Sequence, residues 1–153
     1  MRESMNKPTY KALTKGRVSI PNQIYHIRMC TWNRKPYFDD FMLARTLIRV
    51  LMNQSHRCTT LCFVVMPDHI HWLIQLCCET SDLSQIIRGV KVSTTFQFRK
   101  EFTGKLWQAG FYDRAIRYED DIPAVARYII RNPLRAGLVK NVKDYSHWDA
   151  VFF

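Results

Sequence analysis

Apolar residues run unbroken from Leu61 to Met66, stop at Pro67-Asp68, and then alternate with polar ones through His69-Ile70-His71-Trp72 before Leu73 and Ile74. The pattern predicts two short strands, Cys58–Met66 and His69–Leu76, joined by a turn. Proline fixes φ and offers no ladder donor, so a turn is favoured there over a continuous strand. Side chains two apart on a strand share a face. Ile70, Trp72 and Ile74 therefore make an apolar face suited to packing on helices. His69 and His71 stand together on the other.

The same reading extends along the chain. Gln23 to Thr31 is rich in strand formers and predicts a first strand that includes His26. Asn33-Arg34-Lys35-Pro36 is a loop. Asp39 or Asp40 can cap a helix running to about Ser55, with Phe41, Met42, Leu43, Leu47, Ile48, Val50, Leu51 and Met52 as its apolar stripe. Ser81 or Asp82 can cap a second helix through Leu83, Ile86, Ile87, Val90, Phe96 and Phe98 to about Phe102. A fourth strand is expected within Trp107–Arg117. Glu119-Asp120-Asp121 opens a third helix, where acids suit the positive end, and Pro123 falls in its first turn. That helix carries Val125, Tyr128 and Ile129 and stops at Asn132-Pro133. A short helical turn then ends at Gly137. The tail from Tyr145 to Phe153 is aromatic and is expected to pack on the rest.

This order is β-α-β-β-α-β followed by a helix. The expected fold is α+β: a ferredoxin-like split antiparallel sheet with an added C-terminal helix bearing Tyr128. In that topology the third strand is central and the two long helices cover one face. His69 and His71 would look out from the middle of the other. The expected organisation is a basic N-terminal arm over residues 1–20 and a single domain over residues 21–153, long enough for a hydrophobic core.

Composition sharpens the picture. The chain is 47% apolar and 24% charged, which suits a globular protein. No apolar run approaches the roughly 20 residues of a membrane span, and no secretory signal is evident. The five cysteines are odd in number and form no Cys-x-x-Cys pair, so reduced thiols in a cytoplasmic protein are expected. The net charge is +10 and predicts an anionic partner. Basic residues crowd the start, including Lys15 and Arg17, and again from Arg88 to Lys105 and from Arg114 to Lys140. Aromatic residues lie among them. Basic groups hold phosphates and aromatic faces stack on unpaired bases, so nucleic acid is the favoured partner, ahead of a membrane surface or an acidic protein.

Two neutral imidazoles at i, i+2 can reach one metal ion, but two ligands do not close a coordination sphere. Tyr128 and Asn132 lie four apart and so share a helix face. Asn132 offers an amide oxygen and Tyr128 a phenol. On pattern alone, a core tyrosine and a helix-ending asparagine remain equally good readings. A Cys58/Cys62 zinc site also stays open, with His56 or His71 completing it in a zinc-stabilised interaction protein.

Val64-Val65-Met66-Pro67-Asp68-His69-Ile70-His71 resembles the histidine–hydrophobe–histidine motif of single-tyrosine transposases. Tyr128-Ile129-Ile130-Arg131-Asn132-Pro133-Leu134-Arg135-Ala136-Gly137-Leu138-Val139 resembles the tyrosine helix of their REP-associated branch, a bacterial group. Trp107-Gln108-Ala109-Gly110-Phe111-Tyr112-Asp113-Arg114-Ala115-Ile116-Arg117 is similar to that branch's tryptophan–glutamine segment. The resemblance covers roughly residues 20–148, and its motifs occur in the expected order.

The resemblance implies a metal-dependent single-stranded DNA endonuclease and strand transferase, acting beside hairpin, REP-like elements through a covalent 5′-phosphotyrosine. Tyr128 would be the nucleophile, and His69, His71 and Asn132 would hold Mg2+ or Mn2+. Arg114, Arg117, Arg127, Arg131, Trp107, Gln108, Phe111, Lys15 and Arg17 are the candidates for DNA contacts. A monomer with its site in one chain is expected, a dimer being the alternative, and a nucleoid-associated place in a bacterial cytoplasm. A non-catalytic DNA-binding module on the same fold is the rival.

Overall fold

The computed structural model describes residues 20, 22–77, 81–101, 103–117 and 120–153. Its elements are β1 (Ile24–Cys30), α1 (Phe41–Met52), β2 (Cys58–Met66), β3 (His69–Leu76), α2 (Leu83–Gln97), β4 (Tyr112–Ala115), α3 (Ile122–Ile130), α4 (Asn132–Arg135) and β5 (Trp148–Ala150). The sheet has five strands in the order β4-β1-β3-β2-β5, and every neighbouring pair is antiparallel. The fold is α+β, and β3 lies at the centre of the sheet as expected.

Aspartates begin the three longer helices. Asp40 accepts from the backbone N–H groups of Met42 and Leu43 at 2.9 and 3.1 Å. Asp82 does the same for Ser84 and Gln85 at 2.7 and 3.3 Å, and Asp121 accepts from Ala124 at 3.1 Å. Each carboxylate satisfies donors that the first helical turn leaves orphaned. Ser81, the other candidate cap for α2, instead donates to the Arg57 carbonyl at 2.8 Å. Gly137 has φ 74°, and its left-handed turn closes α4 with a bond from Leu138 N–H to the Pro133 carbonyl.

Side-chain alternation divides the core in two. Tyr25, Ile27 and Met29 of β1, Phe63 and Val65 of β2, and Ile70, Trp72 and Ile74 of β3 face α1 and α2. The opposite face carries Val64, Met66 and Leu73, which pack with Ala126, Ile129 and Ile130 of α3 and with Ala150. This second face is therefore not open throughout, because α3 covers its β2–β5 side.

Several expectations are corrected. α2 stops at Gln97 rather than near Phe102, because Phe98 turns into the core and the chain bends through residues 98–101. Phe41, Met42 and Phe96 are exposed. With Asp40 fixing the start of α1, the buried stripe falls on Leu43, Ala44, Leu47, Ile48 and Leu51. Phe96 points away from the core and carries the Arg99 guanidinium over its ring at 3.8 Å. The aromatic tail supplies a fifth strand, with Trp148–Ala150 pairing against Cys62–Val64. Tyr145 donates its hydroxyl to the Val65 carbonyl beside it. Lys15, Arg17, Phe102 and Glu119 lie outside the described residues.

Candidate functional site

The histidine face is built by register. Along β3, His69 lies opposite Cys30 of β1 and Met66 of β2, and His71 lies opposite Arg28 and Val64. Directly opposed residues point the same way, so Arg28 and His26 of β1 look out beside the two histidines. Beyond them, Tyr112 and Arg114 of β4 pair with Arg28 and His26. The β1–β4 side of this face is thus polar and basic, and the β2 side is the apolar floor under α3.

The imidazoles are half-buried and close. The rings of His69 and His71 are 5.0 Å apart, edge to face, and His26 lies 5.1 Å from His71. His26 Nε2 is 2.9 Å from His71 Nδ1. His69 Nδ1 is 2.6 Å from Asp68 Oδ1, and Asp68 Oδ2 takes Arg34 Nε at 3.0 Å. Burial, then the nearby charges of Arg114 and Arg28, push His26 down to about 4. Burial does the same to His71, which falls to about 3, with His26, His69, Arg28 and Arg135 acting in the same direction. Burial lowers His69 too, against the pull of Asp68. The carboxyl of Asp68 would rise through burial, but hydrogen bonds from His69 and Arg34 hold it below its ordinary value. At neutral pH the three rings are therefore uncharged, and the His69–Asp68 contact is an N–H donating to a carboxylate. Neutral imidazoles are the form that ligates a metal.

Tyr128 is not a core tyrosine. It is 63% exposed on α3, and its ring rims a cleft of about 510 Å³ that His26, Tyr112, Arg114, Asp120, Asp121 and Val125 also line. Arg135 folds back onto it. The Arg135 guanidinium stands 3.9 Å from the ring centre, and its Nη2 donates to the Tyr128 carbonyl at 2.7 Å. The same arginine is close enough to bear on His71. One chain thus brings the phenol to the edge of the histidine face.

Asn132 is placed differently from a simple helical reading. The helix breaks at Arg131, and Asn132 opens α4. Its Nδ2 donates back to the Ile129 carbonyl at 2.7 Å. Among the described residues, no hydrogen bond joins it to either imidazole, and no cluster of three histidine, cysteine or carboxylate side chains is arranged to hold a metal. Two imidazoles with Nδ1 already engaged leave Nε2 for an ion. That donor chemistry fits a divalent metal, with one more oxygen donor required.

The other candidates scatter. Arg114 is exposed on the cleft, with Nη2 3.9 Å from Asp120. Arg117, Arg127, Arg131 and Gln108 are exposed, and Arg127 lies over Phe153 at 5.8 Å. Trp107 is corrected: it is only 7% exposed, packs on Phe38, and donates its indole N–H to Thr94 at 2.8 Å. A base cannot stack on a ring in that position. Phe111 is half-buried against the same core. Cys58 and Cys62 make no zinc pair. They face opposite sides of the sheet across a bulge, and burial pushes each thiol up to about 12.

Sequence reasoning passed over His26, Arg135, Asp68 and Arg34. Strand alternation held the signal for His26, since the expected topology sets β1 beside β3. Arg135 and Arg34 carried none beyond their charge. No helix among the described residues is long and apolar enough to cross a membrane.

The sequence profile described as "Transposase IS200 like" matches residues 19–132. A REP-associated tyrosine transposase of Escherichia coli K12 is 30% identical over 109 residues, covering 68% of this chain and 60% of the relative. A Haemophilus influenzae protein described in the same terms is 30% identical over 99 residues, covering 58% and 56%. The matched segments thus span less than two thirds of these relatives. Among solved structures, a REP-associated tyrosine transposase bound to a REP hairpin is similar with TM-score 0.72 at 25% identity, covering 86% of this chain and 79% of that one.

Proposed function

The chain belongs to the IS200-like transposase family, and from that premise we propose that it cuts and rejoins single-stranded DNA beside a hairpin through a covalent 5′-phosphotyrosine at Tyr128. The observation that carries this reading is the cleft itself. Tyr128 and His26 both line it, and His26 is hydrogen-bonded to His71. A solvent-exposed phenol rimming a cleft that carries Arg114 beside Asp120 and Asp121, next to paired neutral imidazoles, suits attack on a phosphodiester. A buried tyrosine would not.

The phenolic oxygen of Tyr128 bonds to phosphorus as the P–O3′ bond breaks. The phenol gives up its proton, and the leaving 3′-oxygen takes one to become a hydroxyl. The phosphoester energy is kept in the Tyr128 linkage, so a 3′-hydroxyl can later reverse the step. Arg135, over the Tyr128 ring, and Arg114, on the cleft wall, are the cations that would meet the phosphate in this reading. His69 and His71, with the amide oxygen of Asn132 as third donor, would hold Mg2+ or Mn2+. A bound ion there would polarise the phosphate and ease loss of the phenol proton. The expected partner is a DNA hairpin with a single-stranded flank, gripped by a chain of net charge +10 with steep salt dependence. The protein is proposed to act as a monomer.

One observation favours the non-catalytic rival: the Asn132 amide nitrogen donates to the Ile129 carbonyl, and among the described residues no hydrogen bond joins Asn132 to either histidine. Incubating labelled hairpin oligonucleotides carrying single-stranded flanks with the protein and Mn2+ separates the two. Cleavage lost in excess chelator supports the proposal. Tight hairpin binding without cleavage supports the rival.

A further inference from the structure

Behind each imidazole of the proposed metal pair stands a partner outside the histidine motif. Behind His69 it is Asp68, whose Oδ1 is 2.6 Å from Nδ1. A carboxylate can only accept, so the His69 proton sits on Nδ1 and its lone pair on Nε2. Asp68 is held in turn by Arg34 Nε at 3.0 Å on Oδ2. Behind His71 it is His26, with Nε2 2.9 Å from His71 Nδ1. In the arrangement that frees His71 Nε2, His71 Nδ1–H donates to His26 Nε2, and His26 carries its own proton on Nδ1.

The loop that supplies Arg34 is built at a conformational cost. Asn33 and Arg34 are consecutive non-glycine residues at φ 52° and 54°. Such left-handed backbone persists where the surroundings over-determine it. Here Thr31, fully buried, directs its hydroxyl to the carbonyls of Lys35 and Asp68 at 2.7 and 3.0 Å. The Thr31 N–H also donates to the Asp68 carbonyl, and Arg34 Nη1 reaches Cys30 Sγ at 3.1 Å. The loop after β1 and the turn before His69 are therefore pinned to each other.

We infer that His26 and the Arg34–Asp68 pair are positioning residues that fix the tautomers of His71 and His69, keeping both Nδ1 atoms engaged and both Nε2 atoms free for one divalent ion. The inference rests on the metal reading above. Partners behind ligating histidines set ring orientation and tautomer, and their loss weakens metal binding about 10- to 100-fold.

The test uses the full chain without DNA. Imidazole 15N chemical shifts of metal-free protein report each tautomer directly, and calorimetric titration with Mn2+ reports affinity. In the wild type, His69 should be the Nδ1–H tautomer. Asp68→Ala should move it to the Nε2–H form and weaken Mn2+ binding by about 10-fold or more. Arg34→Gln should weaken it less. His26→Phe should release His71, and His26→Gln, whose amide oxygen can accept, should restore most of the affinity. Thermal unfolding of each variant reports that it is folded. An Nε2–H tautomer at His69 in the wild type would overturn the inference. So would Mn2+ affinity within about twofold of wild type in folded Asp68→Ala and His26→Phe proteins. A wild type that binds no Mn2+ would instead sink the metal reading, and the tautomers of metal-free protein would still decide this inference.

Discussion

Arg135 lies across the ring of Tyr128, held there by its own bond to the Tyr128 carbonyl. The pairing spans the break between α3 and α4 and sets a positive charge beside the phenol, near enough to His71 to help lower it. Guanidinium stacks flat on an aromatic face, which an ammonium cannot reproduce. Arg135→Ala is expected to slow covalent adduct formation by about 10-fold, equivalent to about 1.4 kcal/mol, while hairpin affinity changes much less. Arg135→Lys should fall between. Single-turnover adduct formation measures this, and a wild-type rate in Arg135→Ala would show that the stack is incidental.

Trp107 separates a packing role from a DNA-binding one. Its indole N–H reaches Thr94, whose hydroxyl also bonds the Val90 carbonyl. Trp107→Phe removes that bond and part of a core side chain, so unfolding free energy should fall by about 1–2 kcal/mol. Affinity for single-stranded DNA should stay within about twofold, since lost base stacking would cost more. Urea unfolding and a binding titration on one preparation decide it.

The buried thiols give a pH signature. Cys58 and Cys62 titrate near 12 in the fold against 9.0 for a free thiol. The folded chain keeps protons that the unfolded chain releases, so this stability is complete below pH 9 and is lost as pH rises toward 12. Tyr145, also raised to about 12 by burial, adds to the loss above pH 10. Urea midpoints should fall between pH 9 and 10, and a Cys58→Ala/Cys62→Ala variant should flatten that decline. In native protein at pH 8, exposed Cys77 should react with a thiol reagent well before either buried cysteine.

The strands were legible because their punctuation is local. Pro67-Asp68 and the alternation around His69 gave β2 and β3 their observed bounds. What depended on cross-strand placement needed the topology as well as the alternation. His26 reaches His71 diagonally, since His26 is paired with Leu73 and His71 with Arg28, and no spacing within one segment encodes that. Trp107 shows the converse. An aromatic residue among basic ones reads as a stacking platform until the neighbouring loop and α2 bury it. For Asn132, helical periodicity gave the turn beneath Tyr128. The stop at Asn132-Pro133 was legible as well, from the proline, but the amide's bond to Ile129 was not. The three-residue β5 was too short to carry a period at all.

The proposed monomer makes a mixing prediction. Tyr128 shares its cleft with His26 of the same chain, and the proposal is that one copy completes the site. A mixture of His71→Ala and Tyr128→Phe proteins should therefore cleave no better than either alone. Recovery of cleavage approaching about a quarter of the wild-type rate, one restored site in each mixed dimer, would mean that helices are exchanged between chains.

The chain has seven tyrosines, and Tyr112 lines the same cleft as Tyr128. The direct measurement is to trap the denaturant-resistant protein–DNA adduct formed on a flanked hairpin, digest it, and locate the nucleotide-bearing peptide by mass spectrometry. The expected result is a single adduct on Tyr128, joined to the 5′-phosphate side of the cut. Tyr128→Phe, which removes one oxygen and little volume, should yield none while still binding the hairpin. An adduct on Tyr112, or one that persists in Tyr128→Phe, would contradict Tyr128 as the nucleophile.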